Sequence, residues 1–248
     1  MYVRYPMSVR NVEEMLVERG IDICHETVRL WWYRFGPMFA AEIRRKRVDS
    51  MRGHTHWRWH LDEVYLKING EMHYLWRAVD HEGEVLASFA SKQRDKAAAL
   101  KFIKSAMKRH GRPRVIVTVR LRLYRAAMDD IGNTDRQEVG RRLNNRAENS
   151  HQPFRRRERE MLRFRSMKTL QKFSSVHAGL HNHFNQDRHL ISRHDYKVRR
   201  SVAQADWRSL VAWGQVRPAP ATPKLRPVLV GLTAPSRGII KGPVQHPG

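Results

Sequence analysis

The sequence is poor in cysteine and has no long apolar run. Its one cysteine is Cys24, which excludes an intrachain disulfide framework and a zinc site built from several cysteines. No apolar segment approaches the roughly 20 residues that span a bilayer, and the start, Met1 to Arg4, lacks the apolar core of a signal peptide. These absences predict a protein of the reducing cytoplasm with no membrane partner.

Acidic residues are also scarce. The chain of 248 residues has 24 Asp and Glu against 48 Lys and Arg, a formal net charge of +24, and such a surface favours a polyanion because neutralising phosphates releases counterions. Hydrophobic residues make up 41% of the chain, too many for a disordered basic tail. The composition predicts a folded nucleic-acid-binding protein, although a basic protein of the ribosomal type fits it too.

Two apolar stripes near the amino terminus predict a helix-turn-helix, interrupted at Gly20. The stripes consist of Val9, Val12, Met15 and Leu16, then Val28, Trp31, Trp32 and Phe35. Thr27, Arg29 and Arg34 lie between the apolar positions of the second helix and are of types that contact DNA grooves. We predict that residues 1–48 form a DNA-binding region in which the two tryptophans pack internally. A plain helical hairpin is the alternative.

After this region the apolar period changes from 3.6 to 2. Three strands are predicted at 57–68, 72–79 and 84–90, with an Asn69-Gly70 hairpin turn between the first two. Then follow a helix at 92–110 with a stripe of Ala97, Leu100, Ile103 and Met107, a buried parallel strand at 115–118, a helix at 124–131, a short strand within 135–143, and helices at 146–164 and 170–184. The order predicts an α/β fold of the RNase H-like type, a three-strand antiparallel meander plus parallel strands, although other α/β folds share the pattern.

Composition divides the chain into four predicted parts. A basic connector from Arg44 to Arg52 joins the 1–48 region to an RNase H-like domain at 55–190. A helical segment follows at 191–215. Residues 216–248 are Pro-rich and aperiodic, which predicts a disordered tail.

Asp62 lies in the first predicted strand, in phase with His60 and Val64 on a largely apolar face. An acid on such a face needs a compensating partner. One such partner is a metal ion, because two-metal phosphoryl transfer needs carboxylates that converge from separate elements; a salt bridge is the other. We interpret two groups of histidines as packing or hydrogen-bonding residues. The groups are His54, His56 and His60, and His177, His181 and His183.

Three features resemble transposases of the insertion-sequence six family. Residues 60–67 (HLDEVYLK), paired with 74–80 (YLWRAVD), resemble the strand of the first acid, and residues 144–159 (NNRAENSHQPFRRRER) resemble the segment of the last acid. The helix-turn-helix ahead of the sheet is the third. The resemblance covers most of residues 5 to 195. It implies an RNase H-like fold with an amino-terminal helix-turn-helix and carboxyl-terminal helices.

The same resemblance implies a function. Such an enzyme acts on double-stranded DNA, at its terminal inverted repeats and at target DNA, with Mg²⁺ or Mn²⁺ as cofactor. It also implies a homo-oligomer in the bacterial cytoplasm, associated with the nucleoid. The chain starts at what resembles the middle of the family's amino-terminal domain, and its Pro-rich end has no counterpart in the resemblance. Both features predict a degenerate copy with a truncated 1–48 region.

Carried over by position, the resemblance makes Asp62 the first and Glu148 the third metal-binding carboxylate. The second acid should directly follow the buried strand and its Thr118, where the chain has Val119. Valine cannot coordinate a hard cation, so we predict little or no transposition. The alternative is a non-catalytic DNA-binding remnant that occupies element ends; an RNA-binding structural protein is a third hypothesis.

Other acids are weaker candidates for the missing position. Asp129 and Asp130 lie roughly 15 Å further along the next predicted helix, so we expect them to point to solvent. Glu138 and Glu158 lack the Asn-Asn-Arg context that precedes Glu148.

Basic residues follow Glu148 on the same predicted helix. They are Arg155, Arg156, Arg157 and Arg159. We predict that they contact the phosphates of an element end, which positions DNA without reading its sequence. A solvated basic face is the alternative.

Overall fold

The computed structural model describes residues 2–51, 58–140, 142–161, 164–184 and 192–216. The helices are α1 (Val9–Val17), α2 (His25–Met51), α3 (Lys96–His110), α4 (Arg122–Asp129), α5 (Asn145–Glu160), α6 (Met167–Phe184) and α7 (Arg193–Val216). The strands are β1 (Arg58–Ile68), β2 (Glu71–Asp80), β3 (Val85–Ser91), β4 (Val115–Thr118) and β5 (Gln137–Val139). The predicted tail after residue 216 lies outside the described residues, as do His54 and His56. No helix within the described ranges is both long and apolar enough to cross a membrane.

The five strands form one mixed sheet in the order β3-β2-β1-β4-β5. The β1–β2 and β2–β3 pairs are antiparallel, and the β1–β4 and β4–β5 pairs are parallel. Asn69 and Gly70 both have positive φ, 52° and 85°, as a two-residue hairpin turn of type I′ requires. The fold is RNase H-like, and the predicted meander with parallel strands beside it is confirmed.

Helices cover both faces of the sheet. One face packs against α2, α5 and α6 through a core that includes Val64, Leu66, Leu75, Phe154, Leu170 and Phe173. The other face packs against α3 and α4 through a core that includes Trp59, Leu61, Trp76, Phe102, Ile103 and Tyr124. Because side chains alternate along a strand, neighbouring residues of β1 reach different cores.

The amino-terminal region has the predicted helix, turn at Gly20 and second helix, but α2 is much longer than predicted. It continues through most of the predicted connector to Met51, because its apolar stripe extends to the buried Ala40 and Ile43. There α2 approaches α6 closely: a Cβ added at Gly179 would lie 3.5 Å from the carbonyl oxygen of Ala40. Packing of α2 against α6 therefore extends the helix into the basic segment that was predicted to be a connector.

The two tryptophans of α2 have different environments. Trp32 makes an edge-to-face contact with Phe173, with ring centroids 5.7 Å apart, so its predicted packing role is confirmed. Trp31 is 44% exposed, and its predicted packing role is wrong. On α3 the buried residues are Ala99, Phe102, Ile103 and Ala106. Of the predicted stripe, Ile103 is buried, Leu100 and Met107 are partly buried against the same core, and Ala97 is exposed.

Histidines of α6 are part of the core. The rings of His177 and His181 are stacked with centroids 5.6 Å apart, and His177 is buried against Phe154. Burial lowers the pKa of His177 well below its ordinary value and that of His181 to about 4, and the guanidinium of Arg77 lowers both further. The predicted packing role of these two histidines is confirmed.

The buried histidines predict sensitivity to acid. In the unfolded chain each takes up a proton with a pKa near 6.5, whereas the folded chain keeps His177 and His181 neutral. The free energy of unfolding is therefore unaffected by these two histidines above pH 6.5. As the pH falls from 6.5 towards 4, it decreases by up to roughly 1.4 kcal/mol per pH unit for each histidine. Denaturant unfolding between pH 7.5 and 5 measures this slope. His181→Gln should flatten it; an unchanged slope would show that His181 does not contribute.

Candidate active site

Asp62 and Val119 each follow a residue of the last pair between the parallel strands β1 and β4. In the parallel pairing of β1 with β4, Leu61 is in register with Thr118. Asp62 and Val119 are the residues that follow these two in the sequence. Asp62 is on β1 itself, and the half-buried Val119 directly follows β4. Val119 packs against the core on the α3 and α4 face, whereas Asp62 is in phase with Val64 on the opposite face. That residue 119 stands at the position of the second acid remains a prediction.

Helix α5 lies along β1 and is held at two points. The buried Asn144, at its amino-terminal cap, donates from Nδ2 to the carbonyl oxygen of Leu61 at 2.9 Å. Arg155, three turns later, donates from Nη2 to the carbonyl oxygen of Tyr65 at 2.6 Å. Glu148 is spaced on the helix to share a face with Asn144. Glu148 is exposed, and its charge acts on the carboxyl group of Asp62. That Asp62, position 119 and Glu148 form one catalytic set remains a prediction.

The carboxyl group of Asp62 is in an unfavourable place for a negative charge. Burial is the main cause that raises its pKa to about 7, and the charges of Glu63 and Glu148 raise it further. The backbone N–H of Glu63 donates to Oδ1 at 2.9 Å and, with the charge of Arg94, opposes the shift. Two mutually repelling carboxylates near one buried edge would be stabilised by a divalent cation.

His151 is the other neighbour of Asp62, and sequence reasoning missed it. Its Nδ1 atom lies 3.9 Å from Oδ2 of Asp62, and burial lowers its pKa to about 3, with Arg77 and Arg155 contributing. The imidazole is therefore neutral at pH 7 and does not balance the charge of Asp62. His151 follows Glu148 by three residues, and residues at this spacing lie on the same face of a helix. This spacing is the sequence signal that could have identified His151.

A second buried acid underlies the site and was also missed. Glu63 faces the core on the α3 and α4 side, where its side chain is 1% exposed. Arg94 binds its Oε1 atom through Nε, at 2.7 Å, and through Nη2, and the Tyr124 hydroxyl donates to Oε2 at 2.9 Å. The cluster joins β1 to the start of α3 and to α4, the helix that follows position 119. The sequence could have indicated Glu63, because this acid alternates in phase with the apolar Trp59 and Leu61 along the strand.

The residues present do not fit a pair of Mg²⁺ ions. Mg²⁺ takes near-octahedral oxygen ligands, and Val119 offers none. Within the described ranges, no three His, Cys, Asp or Glu side chains converge closely enough to hold a metal ion. That Asp62 and Glu148 are metal ligands stays a prediction.

The other acids considered for the missing position are engaged elsewhere. Asp129 accepts from the Thr134 hydroxyl, Asp130 pairs with Lys96 at 2.9 Å, Glu138 pairs with Arg58 at 2.7 Å and Glu158 pairs with Arg155 at 2.7 Å. Asp129 and Asp130 are exposed, as expected.

The arginines predicted to contact phosphate differ in their surroundings. Arg156 and Arg159 are exposed, and Arg155 is tied to Tyr65. Arg157 is 2% exposed and donates from Nη1 to the carbonyl oxygen of Met7 at 2.8 Å. The prediction that Arg157 contacts phosphate does not fit this burial, because α5 packs that side of its surface into the core.

The predicted DNA-contacting residues of α2 are accessible to different degrees. Arg34 is exposed, and Arg29 is exposed and paired with Glu26 at 2.6 Å. Thr27 is half-buried, and its hydroxyl is 3.3 Å from the sulfur of Cys24. Whether these residues contact DNA remains a prediction.

The sequence matches known transposases. A family model for the DDE domain of IS240-type transposases matches residues 56–187, just over half of the chain. Over 117 residues the chain is 37% identical to the transposase for the insertion sequence-like element IS431mec of Staphylococcus aureus, which is 47% of this chain and 50% of that protein. It is 36% identical, with the same coverage, to the Staphylococcus aureus transposase for insertion sequence element IS257 in transposon Tn4003. The chain thus spans about half the length of the curated relatives it matches.

A solved structure with distant similarity is the magnesium complex of the HTLV-2 integrase catalytic core domain. It has a TM-score of 0.41 and 13% identity, and covers 57% of this chain and 96% of that one. The family model that matches residues 56–187 and the identity to curated transposases show that the chain belongs to the DDE-domain transposases of the insertion-sequence six family.

Proposed function

We propose that this chain is a DNA transposase that binds double-stranded DNA at the terminal inverted repeats of its insertion sequence and at target DNA, as a homo-oligomer, and that its own strand cleavage is impaired. The observation that carries the proposal is Val119, which directly follows the Thr118 that is in register with Leu61. Family membership supports the DNA substrate, and the missing carboxylate supports the impairment.

In a complete site of this class, divalent ions activate the attacking oxygen and stabilise the leaving oxygen of a phosphodiester. This chain keeps the framework that would position such a site. Asn144 and Arg155 hold α5 along β1, and Glu63 anchors the strand from the opposite face. Without an oxygen at position 119, we infer that Asp62 and Glu148 do not assemble the full ligand set, and the chain acts by occupying DNA ends.

The surface proposed to contact DNA phosphates includes Arg156 and Arg159. Both are exposed on α5, after Glu148 on the same helix. Guanidinium groups form charge-assisted hydrogen bonds to phosphate oxygens, and such contacts position a duplex on the protein. The exposed Arg29 and Arg34 of α2 supply a second candidate contact.

Removing the two α5 charges should weaken DNA binding and its salt dependence. We expect the double substitution Arg156→Gln and Arg159→Gln to reduce the slope of log K against log salt by up to about two. The matched control is the double substitution Arg112→Gln and Arg114→Gln. These two exposed arginines precede β4, whereas Val119 follows it. Fluorescence anisotropy with a duplex carrying the terminal repeat measures both. If both double variants reduce the slope equally, DNA binding depends on the total charge of the chain and not on the position of the arginines.

The choice of nucleic acid tests the function itself. We expect the chain to bind a duplex with its own terminal repeat more tightly than a scrambled duplex or an RNA hairpin of the same length, at fixed salt. Tighter binding to RNA would favour the structural RNA-binding alternative. Equal binding to both duplexes would show that the chain does not recognise the terminal repeat and binds DNA without specificity.

A further inference from the structure

The outward face of α3 carries three positive charges and no negative one. The residues that α3 turns towards the sheet are Ala99, Phe102, Ile103 and Ala106. At about 100° per residue, the opposite side of the helix presents Lys101, Lys104 and Lys108, all of them exposed. The helix contains neither Asp nor Glu. Lys101 and Lys108 are separated by about 10 Å along the helix axis, so the three lysines form a continuous basic stripe.

Folding does not account for this stripe. Like charges three or four residues apart repel and destabilise a helix. The helix dipole favours Lys108 in the last turn, but Lys101 and Lys104 are in the middle of α3. In the described part of the chain no carboxylate pairs with these three lysines, and the ion pair of α3 with Asp130 is made by Lys96, at 2.9 Å. A face that served solubility alone would mix both signs, so the stripe favours an anionic partner.

Positive charge continues where α3 ends. Burial is the main cause that lowers the pKa of Arg44 on α2, and the charge of Arg109, in the last turn of α3, lowers it further. Two helices that cover opposite faces of the sheet thus bring like charges together at this end of α3. A polyanion relieves such repulsion, because its phosphates neutralise both helices.

The lysine stripe is separated from the arginines of α5. Phe154 of α5 packs into the core on one face of the sheet, and Phe102 of α3 packs into the core on the other. A duplex that contacts Arg156 and Arg159 therefore has the sheet between it and α3. The lysines are thus placed to contact a different duplex.

We propose that the lysine stripe of α3 binds the phosphate backbone of a second DNA duplex, whatever its sequence, while a terminal repeat occupies the α5 surface. The inference rests on the proposed function for the class of ligand and adds a separate site for target DNA. Lysine ammonium groups contact phosphates as point charges, and such contacts carry no information on the base sequence. The stripe therefore suits a duplex that is bound without sequence recognition.

Binding of a labelled scrambled duplex tests the proposal. It is measured by fluorescence anisotropy on the full chain alone and on the full chain loaded with one unlabelled terminal-repeat duplex per subunit. We expect the scrambled duplex to bind in both cases. The triple substitution Lys101→Gln, Lys104→Gln and Lys108→Gln should reduce the slope of log K against log salt by up to about three in the loaded complex. Glutamine has nearly the helix propensity of lysine, so the fold of α3 is kept.

The matched control removes the same charge from another helix. Lys197, Arg199 and Arg200 are exposed on α7, and their triple substitution by Gln should leave the slope in the loaded complex unchanged. An equal reduction by both triple variants, an unchanged slope in the α3 variant, or no binding of the scrambled duplex to the loaded complex would each overturn the inference. The proposed function fails separately, if the chain binds the terminal repeat no more tightly than the scrambled duplex. The slopes measured without the repeat then still distinguish the two triple variants.

Discussion

Val119→Asp is expected to give metal-dependent strand cleavage to a chain that otherwise shows little or none. Loss of residues that merely support a metal ligand typically costs about 10- to 100-fold, so restoring a ligand itself should raise the rate by more than about 100-fold. Leu61 is in register with Thr118, so position 119 directly follows the residue that pairs beside Asp62. Cleavage of a labelled duplex carrying the terminal repeat, in Mg²⁺ or Mn²⁺, measures the change.

Two further variants make this result specific. Val119→Asn is close to aspartate in size but lacks the charge, and should remain inactive. Val119→Asp combined with Asp62→Asn should lose the restored cleavage. If the unsubstituted chain cleaves as well as the Val119→Asp variant, the second acid lies elsewhere. If neither cleaves, the non-catalytic DNA-binding function is the better description.

The restored acid should also change stability in a way that does not depend on cleavage. A third carboxylate near Asp62 adds repulsion to a group whose pKa is already raised to about 7. We therefore expect Val119→Asp to lower the melting temperature without metal and Mg²⁺ to raise it again. The unsubstituted chain should show a smaller response to Mg²⁺.

Arg94→Met is expected to lower the free energy of unfolding by about 3 kcal/mol, the scale of breaking a buried ion pair. Glu63 is 1% exposed and would keep the hydroxyl groups of Tyr124, at 2.9 Å, and of Tyr65, at 3.5 Å, but no cation to balance its charge among the partners that the described residues give it. Urea denaturation at pH 7 measures the loss. Adding Glu63→Gln should recover part of it, because the uncompensated charge is then removed.

The matched control lies two residues away. Lys92→Met breaks the ion pair of Lys92 with Glu71, whose side chains are 66% and 60% exposed. Such an exposed pair contributes about 1 kcal/mol or less. Equal losses in the Lys92 and Arg94 variants would show that burial of Glu63 does not strengthen its pairing.

Local regularities of the sequence determined much of the fold. Period-2 alternation and the Asn69-Gly70 turn predicted the meander, because each depends on residues that are neighbours in the chain. The apolar strand 115–118 and the stripe of α6 were predicted for the same reason. The position of Val119 also came from sequence, through its place directly after Thr118.

Contacts between residues distant in sequence were decided only by tertiary structure. Arg157 reads as a basic surface residue, yet it binds the carbonyl oxygen of Met7, 150 residues away. The length of α2 depends on packing against α6, and the partners of Glu63 come from the start of α3 and from α4. His151 approaches Asp62 only because Asn144 and Arg155 fasten α5 to β1. The sequence by itself determined most of the strands and helices and the position of Val119 directly after Thr118, since those are local. The tertiary structure decided which charges are buried and which donors converge, since desolvation and donor distance depend on how the elements pack.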